Sequence, residues 1–99
     1  MKRIAVDGLP DDPLAAAGVF HQHWLAHVED ILGSDEDVML AMPVADHTHR
    51  EWRIAIVAGL ARKHAPLRIN MVAGEGGAVD ATEAYLAKAP GITGQYLET

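Results

Sequence analysis

The sequence predicts an α/β fold, a small layer of β-α-β-α-β-α-(β) order built on a three- to four-stranded parallel sheet. Three observations predict it. Short apolar runs alternate with longer segments of helical periodicity. Two of the runs, residues 37–42 and 67–73, are nearly continuous rather than alternating, as strands covered on both faces are. Glycine, proline and acidic residues punctuate the junctions.

In chain order, residues 3–6 form a short apolar run that ends at Asp7-Gly8, a strand and turn. Asp12 is placed to cap a helix that has Pro13 at its first position. That helix is expected to run to about Leu32 and stop at Gly33, with Ala17, Phe20, Trp24, Val28 and Ile31 as its apolar stripe. Residues 37–42, bounded by acids and Pro43, form the second strand. A second helix is expected from about His47 to Ala65, where Pro66 ends it. Residues 67–73 make the third strand, and Gly74-Glu75-Gly76-Gly77 a glycine-rich turn. A third helix at about 79–88 ends at Pro90-Gly91, and residues 92–97 form a short last strand.

Composition narrows the function classes. Ninety-nine residues make a single domain, 1–99, and 49% hydrophobic against 22% charged residues supply a core and argue against disorder. There is no cysteine, hence no disulfide and no thiolate chemistry, which fits a cytoplasmic protein. The start, Met-Lys-Arg-Ile-Ala-Val, breaks at Asp7-Gly8, too soon for the apolar core of a signal peptide, and no run approaches the length of a membrane span. The net charge is -6 and the basic residues are scattered, so neither nucleic acid nor an anionic membrane is an expected partner.

Three stretches carry a family resemblance. Residues 58–76 contain Leu60-Ala61, then Ala65-Pro66, then Ile69-Asn70 and Val72-Ala73; residues 84–97 contain Ile92-Thr93-Gly94-Gln95. Together they resemble the C-terminal half of a short-chain dehydrogenase/reductase. Residues 19–43 resemble, more loosely, that family's long interface helix and central strand. The resemblance implies a Rossmann-like layer corresponding to strands four to seven of such an enzyme. It also implies where catalysis would sit. Counted back from Ala65-Pro66, the family's Tyr position falls on Asp46 and its Lys position on Arg50. Asp at neutral pH has no proton to donate to a carbonyl oxygen, and Arg keeps the charge but not the geometry. The family's Ser has no equivalent. No Gly-x-x-x-Gly-x-Gly turn follows the first strand, and the acids of Asp7-Gly8-Leu9-Pro10-Asp11-Asp12-Pro13 oppose a pyrophosphate. Dehydrogenase activity is not expected, and neither NAD nor NADP is an expected cofactor.

Other residues admit both a functional and a plain reading. Asp46 with Arg50 could be a relict ion pair, but Asp46 or Thr48 as a helix cap, with Thr48-x-x-Glu51 as a capping box, is favoured. His23, His27 and Asp30 share a helix, and Asp46, His47 and His49 lie near the next helix start, yet no closed metal motif is present, so no metal is expected. Gly74 and Gly76, at a strand-to-helix turn, could cradle an anion, although Glu75 and Asp80 oppose one and glycine also serves simply to turn the chain. The candidate ligand site is therefore Asp46, His47, His49, Arg50, Gly74 and Gly76.

Topology supplies the main functional expectation. Same-handed crossovers place successive helices on one sheet face. Strands built for burial on both faces then need a twin subunit, another protein, or a last helix crossing the other way. Trp52, Ile54, Ile56, Val57, Leu60 and Ala61 also spread over more than half of the second helix. In the resembled family the first two helices form the dimer contact. The leading expectation is a non-catalytic module that works by association, as a homodimer or with another protein. Phe20, Trp24, His27, Trp52, Ile56 and Leu60 are its candidate interface, with His27 and His49 near enough to weaken it when charged. The alternative is a small ligand-binding protein or enzyme with a rebuilt site near residues 42–49 and 74–77.

Overall fold

The computed structural model describes residues 1–99. Its elements are β1 (Lys2–Ala5), α1 (Pro13–His23), α2 (Leu25–Gly33), β2 (Val38–Met42), a 3-10 turn (His47–His49), α3 (Arg50–Lys63), β3 (Ile69–Ala73), α4 (Gly77–Ala87) and β4 (Tyr96–Glu98). The strands lie in the order β1-β2-β3-β4 and every pair is parallel. This is the Rossmann-like α/β layer expected from the sequence, with the fourth strand formed.

The long first helix of the sequence reading is two helices. Asp12 caps its start as expected, accepting the Ala15 N–H at 2.9 Å. Trp24 then interrupts it at φ -118°, ψ -36°, wide of helical values. Its N–H still donates to Phe20 O, and its carbonyl accepts from Val28 N–H, so the axis bends without losing these bonds. In a straight helix a row of i, i+4 residues drifts about 40° per step, because a turn holds 3.6 residues. The bend keeps such a row on the sheet, and the buried positions become Ala16, Phe20, Val28 and Leu32, replacing Ala17 and Ile31 of the expected stripe. The second expected helix also divides, into the 3-10 turn and α3.

Side-chain alternation along the strands sorts the core into two layers. On one face, Val38, Leu40, Met42, Ile69, Met71 and Ala73 pack with Phe20, Val28, Leu32, Val57 and Leu60 from α1, α2 and α3. On the other, Met39 and Val72 pack with Val79 and Leu86 of α4. The strand order advances in one direction while α4 changes face. The last crossover therefore has the hand opposite to the first two. With those right-handed, as nearly all parallel crossovers are, the last is left-handed. The chain thus covers the second face of β2 and β3 with its own last helix, the alternative to a partner that the sequence also allowed.

Polar clamps hold this arrangement. Arg68 bonds Asp37 at the start of β2 and donates to Leu86 O and Ala89 O at the end of α4, satisfying carbonyls that a helix end leaves open. Buried Asn70 donates to Ile92 O and accepts the Gln95 N–H, bringing β4 alongside β3. No helix is long and apolar enough to cross a membrane.

Candidate functional site

The C-terminal ends of β1 and β2 open into a pocket of about 490 Å³. Gly8, at φ +72°, supplies a backbone turn that other residues adopt only with strain, and Leu9, Pro10 and Asp11 follow it along one wall. Pro43, Val44, Ala45 and Asp46, after β2, form the other. His49 and Arg53, from the 3-10 turn and α3, complete the lining. This is where open α/β sheets usually take ligands, outside the carboxyl ends of the strands.

Arg53 sets the chemistry of the pocket. It is 1% exposed, and it forms no ion pair. Nη1 donates to Pro43 O at 2.9 Å and to the Tyr96 hydroxyl at 3.2 Å. The guanidinium carbon lies 5.6 Å from the Trp52 ring centroid and 5.9 Å from that of Tyr96, so two π faces share in holding the charge. Nε is buried without any partner. Nη2 makes no hydrogen bond to the protein and, unlike Nε, is not sealed off. Buried charges are almost always paired, since the desolvation of an ion costs several kcal/mol. Here a guanidinium is buried against neutral groups only.

His49 is fixed rather than reactive. The Trp52 indole N–H, which can only donate, bonds His49 Nδ1 at 3.1 Å. Nδ1 is therefore the acceptor, and Nε2–H donates to Asp11 O at 2.8 Å. Both ring nitrogens are spent on tying the wall at Asp11 to α3. Asp46 caps the 3-10 turn: its Oδ1 accepts the Thr48 N–H at 2.9 Å and the Thr48 hydroxyl. The Thr48 hydroxyl first, then the amide, hold the Asp46 carboxyl below the usual range. The Asp11 side chain is exposed and makes no hydrogen bond or ion pair.

Of the residues singled out from the sequence, the structure brings Asp46 and His49 together in this pocket and leaves the others outside it. His47 is exposed in the 3-10 turn. Arg50 bonds Glu98 of β4 at 2.7 Å, so it forms no ion pair with Asp46. Glu51 makes no bond to Thr48, so the cap is Asp46 alone and the capping box does not form. Gly74 is a packing position: a Cβ there would collide with Thr99 Oγ1 and sit 3.3 Å from Val79 Cγ2. Gly76, at φ +56°, starts α4. No three His, Asp or Glu side chains converge into a metal-ligating group. The turn after β1 does not suit a dinucleotide pyrophosphate, because Pro10 has no N–H and the Asp12 carboxylate already caps α1.

The candidate interface residues also separate. Phe20 is enclosed in the core of the single chain, and Leu60, 4% exposed, reaches the surface only at the floor of a groove. Trp24, Trp52 and Ile56 are half-buried against that core, and His27 is exposed. His49 is 7% exposed and bonded at both nitrogens. A second, shallower concavity of about 400 Å³ runs between α1/α2 and α3, floored by Leu25, Ile56 and Leu60 and rimmed by His21, Glu29 and Lys63.

Arg53 is the pocket-lining residue that the sequence-derived candidates lack. Arg53, Val57 and Leu60 stand at i, i+4 and i+7, one helical face that the sequence spacing allows, and all three are buried.

A parallel α/β layer with an acidic turn after its first strand and a polar pocket at its strand ends defines a Rossmann-like protein. The family model described as short chain dehydrogenase-like protein matches residues 4–99, and the chain belongs to that family. No curated protein and no solved structure gives a significant match.

Proposed function

We propose that this chain is a ligand-binding member of its family that does not carry the dehydrogenase chemistry and takes a small molecule with an anionic group at the Arg53 pocket. The observation that carries this reading is the guanidinium buried without a carboxylate. Such a charge is costly to keep, and an anion reaching Nη2 would neutralise it. Asp46 and Arg50 at the positions of the family's Tyr and Lys support the non-catalytic half of the reading, because neither can supply the proton donor or the ribose contact. The lack of cysteine suits action in the cytoplasm.

The test is thermal melting and Trp52 fluorescence while acetate, butyrate and phosphate are titrated at constant ionic strength. Trp52 stacks on Arg53 and reports the pocket. At least one anion should give saturable stabilisation, and Arg53→Met should remove it. Equal responses in the two proteins, or none in either, would overturn the reading.

Self-association is the second reading, favoured by the groove between α1/α2 and α3. Its surface is mainly apolar, and Gly59 within it is open, since a Cβ there would meet nothing within 4 Å. A symmetric dimer would place the same groove on both chains. Sedimentation should then give twice the chain mass at tens of micromolar, and Ile56→Glu should halve it. A wild-type mass of one chain would refute this reading.

A further inference from the structure

We propose that the Arg53 pocket recognises a small zwitterion, a molecule carrying a carboxylate and a protonated amine on a short aliphatic frame. This rests on the ligand-binding reading above and narrows it to one chemical class. The pocket holds charges of both signs, and none of them is paired. At its floor is the Arg53 guanidinium, 1% exposed, with Nη2 unbonded and Nε buried without a partner. At its rim stand the carboxylates of Asp11 and Asp46. Neither makes an ion pair with any cation of the chain. Asp46 spends only Oδ1 on Thr48, leaving Oδ2 free, and its lowered pKa keeps it ionised at neutral pH.

A plain anion entering this pocket would pass two repelling carboxylates, and a plain cation would meet Arg53. A molecule with its carboxylate on Arg53 and its ammonium between Asp11 and Asp46 satisfies all three groups with charge-assisted hydrogen bonds. Leu9, Pro43 and Val44 give the wall between floor and rim an aliphatic surface. His49 is locked at both nitrogens, so the pocket binds this ligand and offers it no proton exchange.

The test is calorimetric titration of the full chain at neutral pH with glycine, β-alanine and γ-aminobutyrate, which differ in charge separation. Propionate, butyrate and propylamine are the single-charge controls. One zwitterion should bind saturably and at least about tenfold more tightly than every control, the change expected for one hydrogen bond to a charged group. Arg53→Met should reduce it to the level of propylamine. Asp11→Asn should weaken it by about tenfold without changing the melting temperature, because the Asp11 side chain makes no bond and its carbonyl remains for His49. Should propionate or butyrate bind as tightly as the zwitterions, the zwitterion proposal falls while the anion site stands. Absence of binding by every probe, or binding by propylamine alone, would overturn both.

Discussion

Arg53→Met tests whether this arginine is kept for binding or for stability. In the free chain the side chain gains two hydrogen bonds from Nη1, about 1.5–3 kcal/mol each for a charged donor. The two ring faces at 5.6 and 5.9 Å add about 0.5–2 kcal/mol each. Against these stand the desolvation of a buried ion, several kcal/mol, and an unpaired Nε, about 1–3 kcal/mol. The opposing sums are of the same size. Methionine keeps most of the apolar stem and removes both. Pro43 is exposed and Tyr96 half-buried, so water can satisfy the atoms left behind. The expected change in unfolding free energy is therefore within about 1 kcal/mol, a shift in melting temperature of at most about 4–8 °C for a chain of this size. Urea denaturation of the two proteins without ligand measures it. A loss of about 3–5 kcal/mol, as when a buried ion pair is broken, would show that Arg53 is a structural element and would refute the reasoning.

Glu29 makes a second test: Lys63 first, then His64, hold its carboxyl below the ordinary 4.5. A depressed carboxyl contributes its full stability above the unfolded value and loses it as pH falls through the folded one, so Glu29→Gln should cost about 0.5–1 kcal/mol at neutral pH. The gap from the wild type should begin to narrow below pH 4.5 and close as pH falls through the lower folded value, as urea midpoints across that range would show. Gly74→Ala should displace Thr99 and its bond to Ala73 O, a loss of about 1 kcal/mol in the same assay, while leaving binding at the Arg53 pocket untouched. Titration with NAD or NADP should give no saturable change in tryptophan fluorescence below about 1 mM, roughly -4 kcal/mol of binding; a saturable quench would mean that the acidic turn after β1 tolerates a pyrophosphate.

The parts of the fold legible in the sequence are those set by local chemistry. Asp12-Pro13 starts α1, and the apolar runs of β2 and β3 state burial on both faces. What was not legible depends on contacts between distant residues. The break at Trp24 has no glycine or proline behind it and arises from fitting a row of side chains to the sheet. The face taken by α4 goes against the usual hand of parallel crossovers, so that rule alone could not place it. In the sequence Gly74 reads mainly as a turn glycine, and only Thr99, twenty-five residues on, shows it to be a packing position. An arginine in an apolar helix is usually solvated, and only the packing shows Arg53 enclosed.

The central claim, that Arg53 is the floor of a ligand site, is tested most directly by following arginine side-chain Nε–H resonances in proton–nitrogen correlation spectra. Butyrate and γ-aminobutyrate would be added in turn at constant ionic strength. The Arg53 Nε–H and the Trp52 indole N–H should shift together and saturate with one of the two, while Arg3, Arg50, Arg62 and Arg68 stay in place. An Arg53 signal that never moves, or five arginines drifting together without saturation, would contradict it.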